Sequence, residues 1–143
     1  VKLSSVIVSK RFVVIGDVKG HVKVLSRDAP ISDNGESDSS LKIVAEGQLL
    51  NTDVKGMQWI EGDDVFVLSG GLANTASRQY ISAFRIQVSS SGSELKCVCD
   101  ATGGPTKPVN FVSVRAPYVL FGSDDRSAIL FRWDRKTLTF FRS

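Results

Sequence analysis

The pentapeptide Phe12-Val13-Val14-Ile15-Gly16 occurs in two further versions along the chain. Each version has an aromatic residue, Val, Val or Leu, any residue and then Gly, and the other two are Phe66-Val67-Leu68-Ser69-Gly70 and Tyr118-Val119-Leu120-Phe121-Gly122. The three glycines lie 54 and 52 residues apart (70 − 16 and 122 − 70). A recurrence at this period is typical of repeat architectures. The pattern therefore predicts three repeats, over about residues 1–50, 51–105 and 106–143.

A second pattern follows the pentapeptide in the first two repeats. Leu41-Lys42-Ile43-Val44-Ala45-Glu46 resembles Leu95-Lys96-Cys97-Val98-Cys99-Asp100, and each hexapeptide begins 25 residues after the glycine of its repeat. A third landmark lies seven residues before each aromatic residue, where the chain has Ser5, Trp59 and Phe111. Landmarks that keep one register indicate a true internal repeat.

Each repeat contains four segments rich in Val, Ile and aromatic residues and bounded by Gly, Asp, Ser or Pro, which is typical of β-strands. No segment has a sustained helical period, so we expect an all-β fold. The predicted strands are about Leu3–Val8, Arg11–Gly16, His21–Leu25 and Leu41–Gln48; Gly56–Ile60, Val65–Ser69, Gln79–Val88 and Leu95–Cys99; and Asn110–Val114, Tyr118–Gly122, Ala128–Trp133 and Leu138–Phe141.

The third repeat contains a more specific motif. Phe121-Gly122-Ser123-Asp124-Asp125 leads into Phe131-Arg132-Trp133-Asp134, a strand, a polar turn and a strand that ends in Trp-Asp. This arrangement resembles the WD-repeat β-propeller family, in which each repeat forms one four-stranded blade. The first repeat has Ser26 where the resemblance places the Trp-Asp ending, and the second has a longer turn at 71–78. The resemblance implies antiparallel blades.

Three blades are too few for a closed propeller, which typically has four to eight. Three would leave two apolar sheet faces uncovered, so we expect the chain to be part of a larger propeller. The missing blades would come from the rest of a longer chain or from a partner. The alternative fold is a β-trefoil, which also has three repeats of four strands. The apolar second strands and the Trp133-Asp134 ending favour the propeller.

Composition indicates a globular chain, with 143 residues, 42% hydrophobic residues and a net charge of +3. No apolar run is long enough to span a bilayer, so we expect no membrane insertion. Cys97 and Cys99 are predicted to share one strand face as buried, unreactive thiols. With His21 as the single histidine, they are too few for a zinc site. These features favour an intracellular setting.

No catalytic or cofactor motif is present in the sequence. We interpret Asp17, Asp124 and Asp125 as turn-forming residues rather than as a metal cluster. The aromatic residues Trp59, Phe111 and Trp133 are interpreted as core rather than as a surface that stacks nucleobases. The sequence therefore predicts neither an enzyme nor a cofactor.

The predicted function is a protein-interaction scaffold within a larger complex, because loops on a rigid framework commonly carry binding. Partner binding is assigned to the turns between the second and third strands of each repeat. The candidate residues are Lys19, His21, Arg78, Gln79, Asp124 and Arg126. Their basic members suit an acidic peptide or a neighbouring subunit. The alternative is binding of RNA or single-stranded nucleic acid at the same turns, with an affinity that falls steeply with salt.

Overall fold

A computed structural model of the chain describes residues 2–27, 41–62, 64–70, 81–100, 109–124 and 126–142. These residues form β-strands and no helix, as the sequence predicts. The strands are β1 (Leu3–Val8), β2 (Phe12–Asp17), β3 (His21–Ser26), β4 (Lys42–Gln48), β5 (Val54–Glu61), β6 (Val65–Gly70), β7 (Ile81–Ser89), β8 (Gly92–Asp100), β9 (Val109–Arg115), β10 (Tyr118–Ser123), β11 (Ala128–Asp134) and β12 (Thr139–Arg142).

The strands build three four-stranded antiparallel sheets, each from four consecutive strands. Sheet 1 has the order β1-β2-β3-β4, sheet 2 the order β5-β6-β7-β8 and sheet 3 the order β9-β10-β11-β12. The predicted all-β class and the three four-stranded repeats are thus confirmed. The described strands form three separate sheets, unlike the closed domain of the trefoil alternative.

The sheets pack face to face in chain order. Strand β5 contacts β1 on one side and β9 on the other, while β8 contacts β4 and β12. The first strands of the three sheets therefore lie together along one edge of the stack, and the last strands lie along the opposite edge. This arrangement is consistent with successive propeller blades, and the three sheets do not close into a ring.

Each of these first strands contains a β-bulge near its beginning. The bulges lie between Leu3 and Ser5, between Val54 and Gly56, and between Val109 and Phe111. Across from them, Ser5 pairs with Gly16, Gly56 pairs with Ser69, and Phe111 pairs with Gly122. The structurally equivalent positions are therefore 16, 69 and 122, which lie 53 residues apart in both cases (69 − 16 and 122 − 69).

The pentapeptide alignment is consequently wrong by one residue in the second repeat, because Ser69 and not Gly70 corresponds to Gly16. Trp59 is not the counterpart of Phe111, since it pairs with Phe66 further along the strand. In the third sheet Ala128 lies opposite Gly122, as Val22 lies opposite Gly16 in the first. Five residues beyond these two positions lie Trp133 and Arg27, so Ser26 is not the counterpart of Trp133.

The second landmark keeps its predicted register, because the last strands of sheets 1 and 2 share another bulge. Val44 is the extra residue in β4, and Val98 is the extra residue in β8. The bulge also corrects the prediction for the cysteines. Cys97 pairs with Phe84 and Cys99 pairs with its neighbour Ala83, so the two thiols lie on opposite faces of the sheet.

Two apolar layers hold the stack together. We call the face of a sheet that points towards the next sheet in chain order its front face, and the other its back face. The first layer lies between the front of sheet 1, with Val14 and Val24, and the back of sheet 2, with Phe66 and Phe84. The second layer lies between the front of sheet 2 and the back of sheet 3, with Val67 opposite Phe121 and Phe131 among its members.

Candidate functional site

Two of the three turns predicted to bind partners are described, and both lie at the same end of the stack. They are the β2–β3 turn, with Lys19 and His21, and the β10–β11 turn, with Asp124 and Arg126. The beginnings of the first strands lie close together at this end, since the Ser4 hydroxyl donates to the Val54 carbonyl at 2.6 Å. Arg78 and Gln79, in the turn of sheet 2, lie outside the described residues.

Asp17 organises the β2–β3 turn from a buried position. Its Oδ1 accepts backbone N–H bonds from Lys19 at 2.8 Å and from His21 at 3.0 Å. A short polar side chain that bonds to nearby backbone N–H groups is what stabilises such a turn. Asp17 is thus a turn-forming residue, as the sequence predicts, and its carboxylate is engaged by the backbone.

The chain segment that leads to sheet 2 holds the same turn from the other side. The Gly20 carbonyl accepts N–H bonds from Leu49 at 3.0 Å and from Leu50 at 3.2 Å, and Gly20 has a φ of 86°. The Gln48 side-chain amide donates to the carbonyls of Lys19 and Leu50. These contacts fix the backbone of the turn, while the Lys19 side chain is exposed and that of His21 is half-buried.

The β10–β11 turn is closed by its own backbone. Ser123 and Ser127 are joined by an N–H···O bond of 3.0 Å, and the Arg126 N–H donates to the Ser123 carbonyl at 3.2 Å. Arg126 has a φ of 67°, and the Asn110 amide donates to Asp124 Oδ1. Both Asp124 and Arg126 are exposed, so this turn presents one cation and one carboxylate to solvent.

The charges of sheet 2 are partly neutralised by ion pairs. Lys55 lies 3.2 Å from Asp53 near the turn end, and Arg85 lies 3.6 Å from Asp64 near the other end. Exposed pairs of this kind contribute little to stability, but they cancel charge locally. The exposed cations of the described turns at this end are therefore Lys19 and Arg126.

Sequence reasoning missed a basic cleft at the opposite end of sheet 3. The cleft has a volume of about 560 Å³ and is lined by Pro117, Arg132, Trp133, Asp134, Arg135, Lys136 and Phe141. Asp134 Oδ1 accepts the Lys136 N–H at 2.8 Å, so its carboxylate caps the β11–β12 turn. The signal in the sequence was three cations within the five residues that end at Lys136.

The described residues contain no group of three or more His, Cys, Asp or Glu side chains that could hold a metal ion. Cys97 and Cys99 are free thiols and are half-buried. Burial raises the pKa of the Cys99 thiol, a hydrogen bond with the Phe140 backbone lowers it, and the nearby Asp100 charge raises it. A raised thiol pKa reduces the fraction of reactive thiolate at neutral pH.

No protein-family profile matches this sequence, and no curated protein matches it. In the part of the chain that the structure describes, no helix is long and apolar enough to cross a membrane. The function proposed below therefore depends on the geometry of this chain alone.

Proposed function

We propose that the chain is a non-catalytic protein-interaction scaffold, a portion of a WD-repeat-type propeller in a subunit of a larger complex. The observation that carries this proposal is the pair of hydrogen-bonded turns at one end of the stack, with Lys19 and Arg126 exposed at their tips. A rigid framework that presents loops from neighbouring blades on one surface suits recognition of another macromolecule.

Preformed turns make binding less costly. The Asp17 carboxylate and the Gly20 carbonyl already hold the β2–β3 turn, and backbone bonds between Ser123 and Ser127 hold the β10–β11 turn. A partner that docks on them loses less conformational entropy than one that must order flexible loops. This property favours a docking surface over a connection without function.

The exposed cations indicate the chemistry of the partner. Lys19 and Arg126 suit an acidic peptide or an acidic patch on a neighbouring subunit, with His21 and Asp124 beside them as polar contacts. Charges at the rim of an interface mainly raise the association rate and the specificity. The partner proposed here is therefore an acidic protein surface, in an intracellular assembly where free thiols such as Cys97 persist.

The test compares charge reversal at the two ends of the stack. One variant carries Lys19→Glu with Arg126→Glu, and the matched control carries Arg132→Glu with Lys136→Glu at the opposite end. Tagged protein is used for quantitative affinity purification, and binding to a fluorescent oligo(U) is measured by anisotropy at several salt concentrations.

We expect the turn-end variant to lose at least one protein partner at least tenfold while the control retains it. Retention of every partner by the turn-end variant would contradict the proposed docking surface. Tight oligo(U) binding that weakens steeply with salt, and that the turn-end variant loses, would instead support the nucleic-acid alternative.

A further inference from the structure

The two junctions inside the stack have the same asymmetry. The back face of sheet 2 carries Trp59, Phe66 and Phe84, and the back face of sheet 3 carries a second aromatic cluster that includes Phe121 and Phe131. The front faces opposite them consist mainly of Val, Ile and Ala side chains. Each junction thus packs a bulky back face against a front face of smaller side chains, which lets the two layers interdigitate.

The two uncovered faces show the opposite distribution of side-chain size. Cross-strand pairing places only aliphatic apolar side chains on the free back face of sheet 1, beside Lys23 and Glu46: Val6, Val8, Val13, Ile15, Leu25 and Ile43. The free front face of sheet 3 carries bulky ones instead: Phe111, Tyr118, Leu120, Leu130 and Phe141. The two free faces are therefore complementary to each other in size, with the bulky partner now on the front.

The register of the bulges points to the same pairing. Val54 and Val109, the residues before the bulges of sheets 2 and 3, are fully buried against the preceding sheet. Leu3 holds the equivalent position in sheet 1 and is 63% exposed. On the free front of sheet 3, the equivalent receiving position is Gly122, and the Phe111 ring covers it. Leu3 and Phe111 would thus meet at such a junction.

We propose that two copies of this chain associate head to tail, the front face of sheet 3 in each copy packing on the back face of sheet 1 in the other. This proposal rests on the propeller arrangement proposed above. Two copies give six sheets, which lies within the range of four to eight found in closed propellers. A head-to-tail contact that closes after two copies forms a ring and leaves no apolar face exposed.

A polar contact between the existing sheets has its counterpart at the new junction. The bulge residue Ser4 donates through its hydroxyl to the Val54 carbonyl of the next sheet at 2.6 Å. Asn110 is the bulge residue of sheet 3, and Leu3 stands in the register position of Val54. The Asn110 amide of one copy is thus placed at the position from which it would donate to the Leu3 carbonyl of the other.

The first experiment measures the mass of the purified chain by native mass spectrometry and by light scattering after size-exclusion chromatography. The proposal predicts a species of twice 15.5 kDa at micromolar concentrations. A monomer at 100 µM with a folded circular dichroism spectrum would overturn it, and the free faces would then await blades from another polypeptide. Open chains of three or more copies would also overturn the two-copy ring.

Substitutions on the two faces test the head-to-tail geometry. Val6→Glu places a charge on the back of sheet 1, Leu120→Glu places one on the front of sheet 3, and each variant alone should be monomeric. A mixture of the two should form a heterodimer, because one junction then joins two unmodified faces. A dimer in either single variant, or no association in the mixture, would contradict the proposal.

Val18→Glu is the matched control, because Val18 is an aliphatic residue, 37% exposed, in the β2–β3 turn and on neither face. It should remain dimeric. Each variant is checked by circular dichroism, and Ile43→Glu replaces Val6→Glu if the latter does not fold. A monomeric wild-type chain that still loses its partner on reversal of Lys19 and Arg126 would refute the dimer alone. A dimer whose partners ignore that reversal would refute the docking surface alone.

Discussion

Val54 of sheet 2 packs directly onto Gly16 of sheet 1. A Cβ atom added at Gly16 would lie 2.8 Å from both the Cβ and the Cγ1 of Val54, which is closer than van der Waals contact allows. Val54 itself is fully buried. The glycine therefore sets how closely the first strand of one sheet approaches the second strand of the preceding one.

Gly16→Ala should destabilise the protein by about 1–3 kcal/mol, because the added methyl group overpacks the junction against Val54. The measurement is urea unfolding followed by circular dichroism. Gly47→Ala is the control, since its Cβ would lie an acceptable 3.4 Å from Leu49 Cδ2, and it should change stability by less than about 0.5 kcal/mol. Adding Val54→Ala to Gly16→Ala should recover part of the loss, and strict additivity of the two would argue against direct contact.

Leu68→Ala should cost about 2–5 kcal/mol, because Leu68 is fully buried between sheets 1 and 2 and its loss leaves a cavity. Thermal unfolding measured by calorimetry checks this. Val88→Ala is the comparison, because Val88 is 58% exposed at the end of β7 and should have little effect. Equal shifts in melting temperature for the two variants would be inconsistent with the packed junction.

Asp17→Ala should destabilise the protein by about 1–3 kcal/mol, because it leaves the N–H groups of Lys19 and His21 without their acceptor. Asp17→Asn keeps one carbonyl acceptor and should lose less. Asp124→Ala, at an exposed carboxylate in the corresponding turn of sheet 3, is the control. Amide hydrogen exchange at Lys19 and His21 provides a local readout, and unchanged protection there in Asp17→Ala would contradict the assigned bonds.

Cys99 should react slowly with iodoacetamide, because burial raises its thiol pKa above the ordinary value of 9.0. In a Cys97→Ser variant, the alkylation rate of the folded protein should rise with pH at a higher midpoint than in the same variant unfolded in urea. The unfolded state ionises first, so stability should be fully present below pH 9.0 and should fall as the pH rises towards the folded pKa. A midpoint below that of the unfolded protein would refute the shift.

The number of sheets and the strands in each could be read from the sequence, because Val14, Leu68 and Leu120 lie in apolar segments bounded by turn residues. The register within the second repeat could not. A bulge adds one residue to a strand without changing its composition, so no pattern of residue types reveals it. This is why Trp59 was aligned with Phe111, and why Cys97 and Cys99 were placed on one face.

The candidate site was predictable in part. Asp17 is a turn-forming residue in the sequence and in the structure, and Lys19 and Arg126 stand on turns at one end of the stack. The cleft near Lys136 was not predicted, because it depends on which turns of sheet 3 meet at the opposite end. Turn residues signal local conformation, whereas a cleft is made by segments that are distant in the chain.

The amino-acid sequence by itself determined the all-β class, the three repeats and the four strands of each, because these follow from local preferences for strand and turn. Only the tertiary structure decided the register of Ser69 with Gly16 and Gly122, the opposite placement of Cys97 and Cys99, and the two uncovered faces. Those features arise from packing between sheets, where side-chain size at one residue limits the approach of another some fifty residues away.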